Sequence, residues 1–373
     1  MVTLDAALPV SPGFRSAVGA AIARFLDDRA RFLRGEVSPE LDALTSRSAA
    51  FTSGGKRLRP AFCAWGYAAG SGSLTLPDAV LTAAASLDVL HVSALVHDDV
   101  MDASDTRRGL PSAHRQLEAD HKERGGRGDA ESFGRAGAVL LGDLLLVWSA
   151  EMFENSGLEP ATLAAVAPWL QAVRTEVIAG QYLDVLAQAV EPYERTRTAA
   201  GVADLESLVA RVVTFKSASY TVERPLHIGA ALAGATAAQQ STFSAYGRPL
   251  GRAFQYRDDL LGVFGEAALT GKQSGEDLRE GKLTLLAVRT FAGASDVAAR
   301  EFAALFGAAD LDADQIDRAR EIIVDSGAHA HVEGAIEREY ATALAALDAA
   351  GWLAEPARAG LANLAAVAAK RAF

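Results

Sequence analysis

Apolar residues recur at helical spacing along most of the chain. Residues 78–102 are rich in Ala and Leu, lack Pro and Gly, and could form about seven helical turns. Residues 161–190 and 236–265 show the same period, with internal Pro or Gly that could kink a helix. Ala-rich amphipathic segments fill about 296–372, and only 208–215 is β-branched enough to suggest a strand between helical flanks. The pattern predicts an all-α protein.

The breaks in this pattern predict where the helices end. Residues 38–55 begin like a helix, with Ser38 as the N-terminal cap, and end at a glycine pair. No Pro/Ser-rich linker divides the chain, so we expect one large helical domain over residues 1–373. Loops are expected at 51–58, 103–113, 120–131 and 265–282.

Composition narrows the class of protein only a little. Half of the 373 residues are hydrophobic and 22% are charged, as in a soluble globular protein with a large core. No unbroken apolar run approaches the roughly 18 residues that span a bilayer, and the N-terminus does not resemble a signal peptide. Cys63 is the only cysteine, so we expect a cytoplasmic protein. The net charge of −11 argues against nonspecific nucleic-acid binding.

The first candidate site is the acidic segment HDDVMDASDTRRG, residues 97–109. On a helix, Asp98 and Asp102 share a face with His91, and Asp99 adjoins them. Two carboxylates one turn apart can bind Mg²⁺ together with phosphate oxygens and water. Carboxylates at a helix C-terminus oppose the macrodipole, which a bound cation would offset. The alternative is a solvated acidic helix end that makes salt bridges.

A second acidic segment, RDDLLG, echoes the first at residues 257–262. Asp258 follows Gln255 by three residues, so the two share a helix face. Position 262, where a third carboxylate would complete the repeat, is Gly262. We therefore expect fewer metal ligands here, enough for one ion where the first segment holds two.

Basic residues cluster near these segments along the chain. GGKRLRP places Lys56 and Arg59 after two glycines, but Arg57 follows the lysine where a Walker loop needs Ser or Thr. Each basic residue taken alone is more often a surface charge than a ligand. Together they suggest two polyanions, one bridged by metal and one bound directly by Arg and Lys. The other candidates are Arg107, Arg108, Lys216, Arg257, Lys272 and Lys282.

With these motifs in this order, the chain resembles the trans-isoprenyl diphosphate synthases, the polyprenyl synthetase family. The matching elements lie within about residues 50–290. They are GGKRLRP, LHVSALVHDDVMDASDTRRGLPSAH, GDLLL, GQYLD, FKSA, FQYRDDLLG and GKQSGEDLREGKLTLL. The resemblance implies an isoprenoid synthase fold, a helical bundle around a central cavity with the two acidic motifs across its mouth.

The resemblance also implies a reaction, condensation of an allylic diphosphate with isopentenyl diphosphate, and a homodimer. Three Mg²⁺ ions, or Mn²⁺, would be held by Asp98, Asp102 and Asp258. The implied catalytic residues are Asp98, Asp99, Asp102, Arg107, Lys216, Gln255, Asp258 and Lys272. The implied substrate-binding residues are Lys56, Arg59, His91 and Arg108 for isopentenyl diphosphate, and Arg107, Lys216, Ser217, Gln255, Lys272 and Lys282 for the allylic diphosphate.

Two departures from the family pattern are visible, and neither removes an essential group. Gly262 stands where a carboxylate is usual, and Ser217 stands where Thr is frequent but keeps a hydroxyl. In this family, bulky residues before the first acidic motif form the floor of the product cavity. Here Ser93 and Ala94 are small and Leu90 could be a deeper stop. We expect geranylgeranyl diphosphate (C20), with a longer polyprenyl or a farnesyl product as the alternative.

Two other classes of function compete with chain elongation. A class I terpene cyclase could share the fold and the acidic motifs, but it has no need for GGKRLRP, His91 and Arg108. A non-catalytic partner subunit of a synthase would be expected to lose one acidic motif, and this chain has both.

Overall fold

The structure, a computed structural model, describes residues 1–107, 109–265 and 275–370, and helices dominate this part. The first α-helices are α1 Pro12–Phe32, α2 Asp42–Thr52, α3 Leu58–Ser71, α4 Asp78–Met101, α5 Ala113–Glu123 and α6 Ala130–Glu154. They are followed by α7 Pro160–Gln188, α8 Pro192–Arg195, α9 Ala199–Val212, α10 Arg224–Leu232 and α11 Ala237–Phe264. The last are α12 Glu276–Arg279, α13 Leu285–Gly293, α14 Asp296–Leu305, α15 Ala313–Asp325, α16 Ala328–Asp348 and α17 Glu355–Ala369. The all-α prediction is confirmed.

Short irregular elements complete the described chain. Residues Leu33–Val37 and Val213–Glu223 are π-helical, and Pro39–Leu41 is a 3₁₀ turn. Strand β1 (Val2–Thr3) pairs antiparallel with β2 (Thr75–Leu76), and β3 (Thr106–Arg107) pairs with β4 (Leu110–Pro111). Each strand has two residues, so each pair only joins two short chain segments and does not form a sheet layer.

The chain forms two compact units. The first contains Met1–Leu170, Pro225–Phe243 and Trp352–Leu364. The second contains Gln171–Arg224, Ser244–Gly351 and the residues from Ala365 onward.

Helix α4 is the central helix of the first unit and packs closely on α6. Fourteen of its residues are buried, which explains why nearly every position is apolar or small. A Cβ on Gly142 of α6 would lie 2.2 Å from Nε2 of His97, so only glycine lets the helices approach this closely. Ser93 Oγ donates to the Gly142 carbonyl at 2.7 Å. Close packing therefore fixes the C-terminal half of α4.

The sequence prediction placed the long helices well and some of their ends less well. Helix α4 spans 78–101 against the predicted 78–102. The predicted helix start at Ser38 is one turn early, because Ser38 precedes a 3₁₀ turn without capping it and α2 begins at Asp42. The β-branched stretch 208–215 is helical throughout the structure. Its valines are buried, and such packing overrides local strand propensity.

In the described part of the chain, two helices, α4 and α6, are long and apolar enough to cross a membrane by length and composition alone. A search for unbroken apolar runs does not find these two helices, because Asp88 interrupts the one and Asp143 the other. In α4, 72% of the apolar 18-residue stretch is buried inside the protein, whereas in α6 the buried share of the corresponding stretch is 44%. Burial in the core explains the composition of α4 without a membrane, whereas α6 leaves apolar side chains exposed.

Candidate active site

The glycine-rich loop between α2 and α3 carries the first basic candidates. Gly54 and Gly55 have φ of 78° and 91°, which other residues rarely adopt, so the chain can turn sharply after α2. Lys56 follows and is exposed, whereas Arg59 lies in the first turn of α3 and is half-buried. The loop therefore presents two cations at the surface of the first unit.

The first acidic motif lies where α4 ends. Asp98 is in the last turn, and Asp102 is the C-terminal cap, whose backbone N–H donates to the Asp98 carbonyl at 2.8 Å. Both side chains are half-buried, and so is His91 two turns earlier. The helix thus holds two carboxylates one turn apart at its partially negative end, where a cation is favoured.

Asp99 differs from its neighbours in both burial and contacts. It is 1% exposed and accepts a hydrogen bond from Nε of Arg107 at 2.6 Å. Arg107 Nη2 also lies 3.5 Å from Oδ2 of Asp98. Asp99 therefore holds the guanidinium of Arg107 beside Asp98, and its own carboxylate is committed to that contact.

The β3–β4 hairpin positions the Arg107 side chain against the C-terminal end of α4. Arg107 pairs with Leu110, and Gly109 has φ of 77°, a conformation suited to glycine in a tight turn. Asp105 at the base of the hairpin accepts a hydrogen bond from Nε of Arg115 at 2.6 Å. The predicted ligand Arg108 lies outside the described residues.

In the second unit, Lys216 lies in the π-helical segment 213–223. Its Nζ donates to Oδ2 of Asp184 in α7 at 2.5 Å, and the Asp184 side chain is only 3% exposed. A Cβ on Gly180 would lie 2.2 Å from the Lys216 backbone nitrogen. The glycine and the aspartate of GQYLD therefore both serve to position Lys216. Such π-helical segments are rare and occur frequently at functional sites.

Helix α11 packs closely along the same π-helical segment. A Cβ on Gly251 would lie 2.4 Å from the Cα of Ala218, so the backbones nearly touch there. Gln255 follows Gly251 by one helical turn and shares its face. The segment that carries Lys216 and half-buried Ser217 therefore packs, through Ala218, against the face of α11 that carries Gln255.

The two aspartates of the second motif have different surroundings. Asp258 is half-buried, whereas Asp259 is 3% exposed and accepts a hydrogen bond from Nε2 of Gln255 at 2.7 Å. Burial raises the pKa of Asp259 to about 7, against the opposing attraction of Lys282. Asp258 is therefore the more accessible ligand, and Asp259 supports Gln255.

The carboxylate of Asp277 fills the space beside Gly262. A Cβ on Gly262 would lie 2.1 Å from Oδ2 of Asp277, which is buried at the start of α12. The backbone N–H of Lys282 donates to the Asp277 carbonyl at 3.0 Å, which fixes the loop that carries this lysine. The predicted ligand Lys272 lies outside the described residues.

The predicted floor residues lie inside the first unit. Leu90 and Ser93 are buried, and Ala94 is half-buried. The Ser93 hydroxyl is used in the contact with α6 described above. Arg257, one of the basic candidates, donates two hydrogen bonds to the Glu333 carboxylate at 2.6 and 2.7 Å. Its guanidinium therefore forms an ion pair within the second unit.

The ligand chemistry of the aspartates fits magnesium. Among the described residues, no group of three or more His, Cys, Asp or Glu side chains converges as a complete metal site. Mg²⁺ commonly takes only one or two carboxylates and completes its shell with substrate phosphate oxygens and water. Asp98 and Asp102 in the first unit offer two such carboxylates, and Asp258 in the second unit offers one.

The sequence of residues 43–323 matches the family model described as polyprenyl synthetase. The chain belongs to the polyprenyl synthetase family. The geranylgeranyl diphosphate synthase of Methanosarcina mazei is 32% identical over 238 residues, 64% of this chain and 64% of that relative. The geranylfarnesyl diphosphate synthase of Aeropyrum pernix is 33% identical over 283 residues, 75% of this chain and 79% of that relative.

Solved structures agree in fold over almost the full length. A geranylgeranyl pyrophosphate synthase from Corynebacterium glutamicum, complexed with isoprenyl diphosphate and magnesium, is 38% identical with a TM-score of 0.87. It covers 96% of this chain and 99% of that one. A polyprenyl synthase from Caulobacter crescentus, complexed with calcium and isoprenyl diphosphate, is 27% identical with a TM-score of 0.71, covering 95% of each chain. The predicted family, fold and prenyltransferase class are confirmed at the level of the family.

Sequence reasoning missed the residues that hold the candidate ligands in place. Asp184 and Asp277 lie within the motifs GQYLD and GKQSGEDLREGKLTLL, and these motifs are the signal that could have found them. The partner of Arg57 is Asp88 on α4, and no spacing rule connects residues 31 positions apart.

Proposed function

We propose that the protein is a trans-prenyltransferase that condenses an allylic diphosphate with isopentenyl diphosphate and releases diphosphate. The main support for this proposal is the arrangement of side chains at the C-terminal end of α4. There Asp98 and Asp102 stand one turn apart beside Arg107, which the buried Asp99 holds in place. A polyanion that arrives with a divalent cation suits this combination of carboxylates and guanidinium. The similarity to the Corynebacterium synthase supports the same conclusion.

The allylic diphosphate is the substrate that we assign to the acidic motifs. Asp98, Asp102 and Asp258 would hold Mg²⁺, which, when bound, neutralises the charge that develops on the departing diphosphate. Arg107 and Lys216 would bind diphosphate oxygens directly. Both cations are held by buried aspartates, so they are preorganised for this task and need little reorganisation when the charge develops.

Isopentenyl diphosphate is assigned to the basic loop and His91, without a metal. Lys56 and Arg59 would bind its diphosphate, and His91 and Arg108 complete the proposed set. Holding both substrates in one orientation turns a bimolecular encounter into an effectively intramolecular step. The isopentenyl double bond then forms the new carbon–carbon bond as the allylic carbon–oxygen bond breaks. Loss of a proton to the released diphosphate completes the five-carbon addition.

The proposed product is geranylgeranyl diphosphate. Buried Leu90 one turn above half-buried Ala94 supports a cavity that closes some distance from the acidic motif. The relatives include a geranylgeranyl diphosphate synthase at 32% identity, which supports C20. They also include a geranylfarnesyl diphosphate synthase at 33% identity, which makes a longer product the second candidate.

The assembly proposed for the enzyme is a homodimer. One side of α6 carries the exposed apolar side chains Phe133, Leu140 and Val147, which are seven residues apart, and Leu140 is 61% exposed. Apolar residues at such spacing form a stripe along a helix, and water-exposed stripes of this kind favour burial against a partner. The family resemblance implies that this partner is a second copy of the chain.

Two broader assignments accompany this proposal. The whole chain would act as one synthase domain, whose candidate residues fall in both compact units. A cytoplasmic location is supported by the single cysteine, Cys63, which is buried and whose thiol pKa is raised by that burial.

Incorporation of labelled isopentenyl diphosphate into allylic products tests the proposed reaction. We expect incorporation with Mg²⁺ that stops on addition of EDTA and is lost in Asp98→Ala. Asp105→Asn is the matched control, since Asp105 lies in the same acidic segment but pairs with Arg115 at the surface. Equal activity of Asp98→Ala and Asp105→Asn would contradict the assignment. Conversion of an allylic diphosphate alone into a hydrocarbon would indicate a cyclase.

A further inference from the structure

Arg57 and Asp88 form a buried ion pair between the basic loop and α4. Their side chains are each 4% exposed, and Arg57 Nη1 donates to Oδ2 of Asp88. Arg57 Nη2 also donates to the carbonyl of Thr52, the last residue of α2, at 2.7 Å. Burying two charges is unfavourable unless the pair is completed by such hydrogen bonds. The guanidinium therefore joins the end of α2, the start of α3 and the middle of α4.

The backbone at Arg57 is unusual as well. Its φ of 52° is left-handed, which a residue with a side chain rarely adopts and which persists only where the surroundings fix it. The residues around it differ in exposure: Lys56 is exposed, Arg57 and Leu58 are buried, and Arg59 is half-buried. Anchoring Arg57 inside the protein therefore determines where Lys56 and Arg59 emerge.

Two helices surround the anchored side chain. Asp88 precedes His91 by three residues on α4, so both lie on one side of that helix. On α1, a Cβ at Gly19 would lie 3.7 Å from Nη2 of Arg57, so α1 passes the guanidinium closely. The ion pair thus links the loop that carries Lys56 to the helix that carries His91.

We propose that Arg57 and Asp88 are a positioning pair that sets Lys56 and Arg59 against His91 for binding isopentenyl diphosphate. The inference rests on the proposed function and adds two residues to it, neither of which touches substrate. Removing the charge of Asp88 leaves the Arg57 guanidinium without its anion and releases the loop from α4. The proposed allylic diphosphate ligands on α4, Asp98 and Asp102, lie at the C-terminal end of the helix and keep their own contacts.

Steady-state kinetics of Asp88→Asn test this proposal. Asparagine keeps the size of the side chain and removes its charge. We expect the KM for isopentenyl diphosphate to rise about tenfold or more, because a misplacement of about 1 Å can cost on the order of 100-fold. The KM for the allylic diphosphate should stay within about twofold, since its proposed ligands keep their partners. Asp88→Glu, which restores the charge, should recover part of the loss.

A half-buried ion pair in the same unit provides the control. Asp120 of α5 accepts a hydrogen bond from Nη2 of Arg47 at 2.6 Å. Asp120→Asn should lower the melting temperature and leave both KM values unchanged. If Asp88→Asn and Asp120→Asn lower stability while neither shifts the KM for isopentenyl diphosphate, the pair is only structural and the proposal is overturned.

Arg57→Gly tests the pair if Asp88→Asn fails to fold. Glycine adopts the left-handed conformation without strain, so the loop backbone is retained while the anchor is lost. A raised KM for isopentenyl diphosphate supports the proposal, and an unchanged KM overturns it. Failure of the wild-type enzyme to incorporate isopentenyl diphosphate would overturn the proposed function itself. Activity of the wild type with unshifted KM values in the variants would overturn only the positioning role.

Discussion

Asp99 lies buried at the end of α4 and accepts a hydrogen bond from Nε of Arg107 at 2.6 Å, whereas its neighbour Asp98 is half-buried. Adjacent residues on a helix point about 100° apart, so identical side chains in DD can have different tasks. Here the half-buried Asp98 is the proposed metal ligand, and the buried Asp99 holds a guanidinium in place beside it.

Asp99→Asn should slow the reaction although Asp99 is no proposed metal ligand. Asparagine is neutral and cannot form an ion pair with Arg107. Residues that orient ligands typically contribute about 10- to 100-fold to activity or metal affinity. We expect a fall in kcat of that order, measured with saturating substrates and Mg²⁺. A kcat within about twofold of the wild type would show that Arg107 needs no such support.

Restoring the usual carboxylate at position 262 should harm this enzyme. The side chain of Gly262→Asp would meet Oδ2 of Asp277, which lies 2.1 Å from the position of its Cβ. Overpacking of this kind costs about 1–3 kcal/mol, and two buried carboxylates also repel. Urea unfolding should show that loss. The double variant Gly262→Asp with Asp277→Ala should regain much of it, and no recovery would contradict the steric explanation.

The stability of the protein should depend on His114 between acid and neutral pH. Burial lowers the pKa of His114, whose Nδ1 lies 3.1 Å from Oγ of Ser112. In the unfolded chain the imidazole takes up a proton near its ordinary pKa of about 6.5, whereas the folded protein takes it up only at lower pH. The free energy of unfolding therefore falls as the pH drops below about 6.5.

Urea unfolding of the wild type and His114→Asn checks this sign. The wild type should lose more stability than the variant between pH 7.5 and pH 5.5, two conditions chosen at about one unit on either side of the ordinary pKa. An equal loss in both proteins would mean that other groups carry the pH dependence.

A charge on the exposed side of α6 should dissociate the proposed dimer. The wild type should have about twice the 39.0 kDa mass of one chain in solution. Leu140→Asp should give the mass of a monomer by light scattering, because an unpaired charge is strongly disfavoured in an apolar interface. Val297→Asp is the control, since Val297 is an exposed apolar residue on a different helix, α14. A monomeric wild type, or a dimeric Leu140→Asp, would contradict the interface.

The sequence predicted those features that depend on neighbours along the chain. Helix α4 follows from its uninterrupted apolar composition, and the shared face of Asp98 and Asp102 follows from helical spacing. The pairs Arg57–Asp88 and Lys216–Asp184 join residues 31 and 32 positions apart, so only the packed structure reveals them. Helix-to-helix approach is likewise invisible in the sequence, although glycines such as Gly142 mark where it occurs.

The size of the product tests directly whether the enzyme elongates prenyl chains to C20. The wild type would be incubated with Mg²⁺, labelled isopentenyl diphosphate and, in turn, dimethylallyl, geranyl and farnesyl diphosphate, and the dephosphorylated alcohols sized by chromatography. We expect elongation of all three primers to a ladder that ends at C20. Absence of isopentenyl incorporation with every primer would contradict chain elongation, and a ladder that passes C20 would contradict the proposed cavity floor at Leu90.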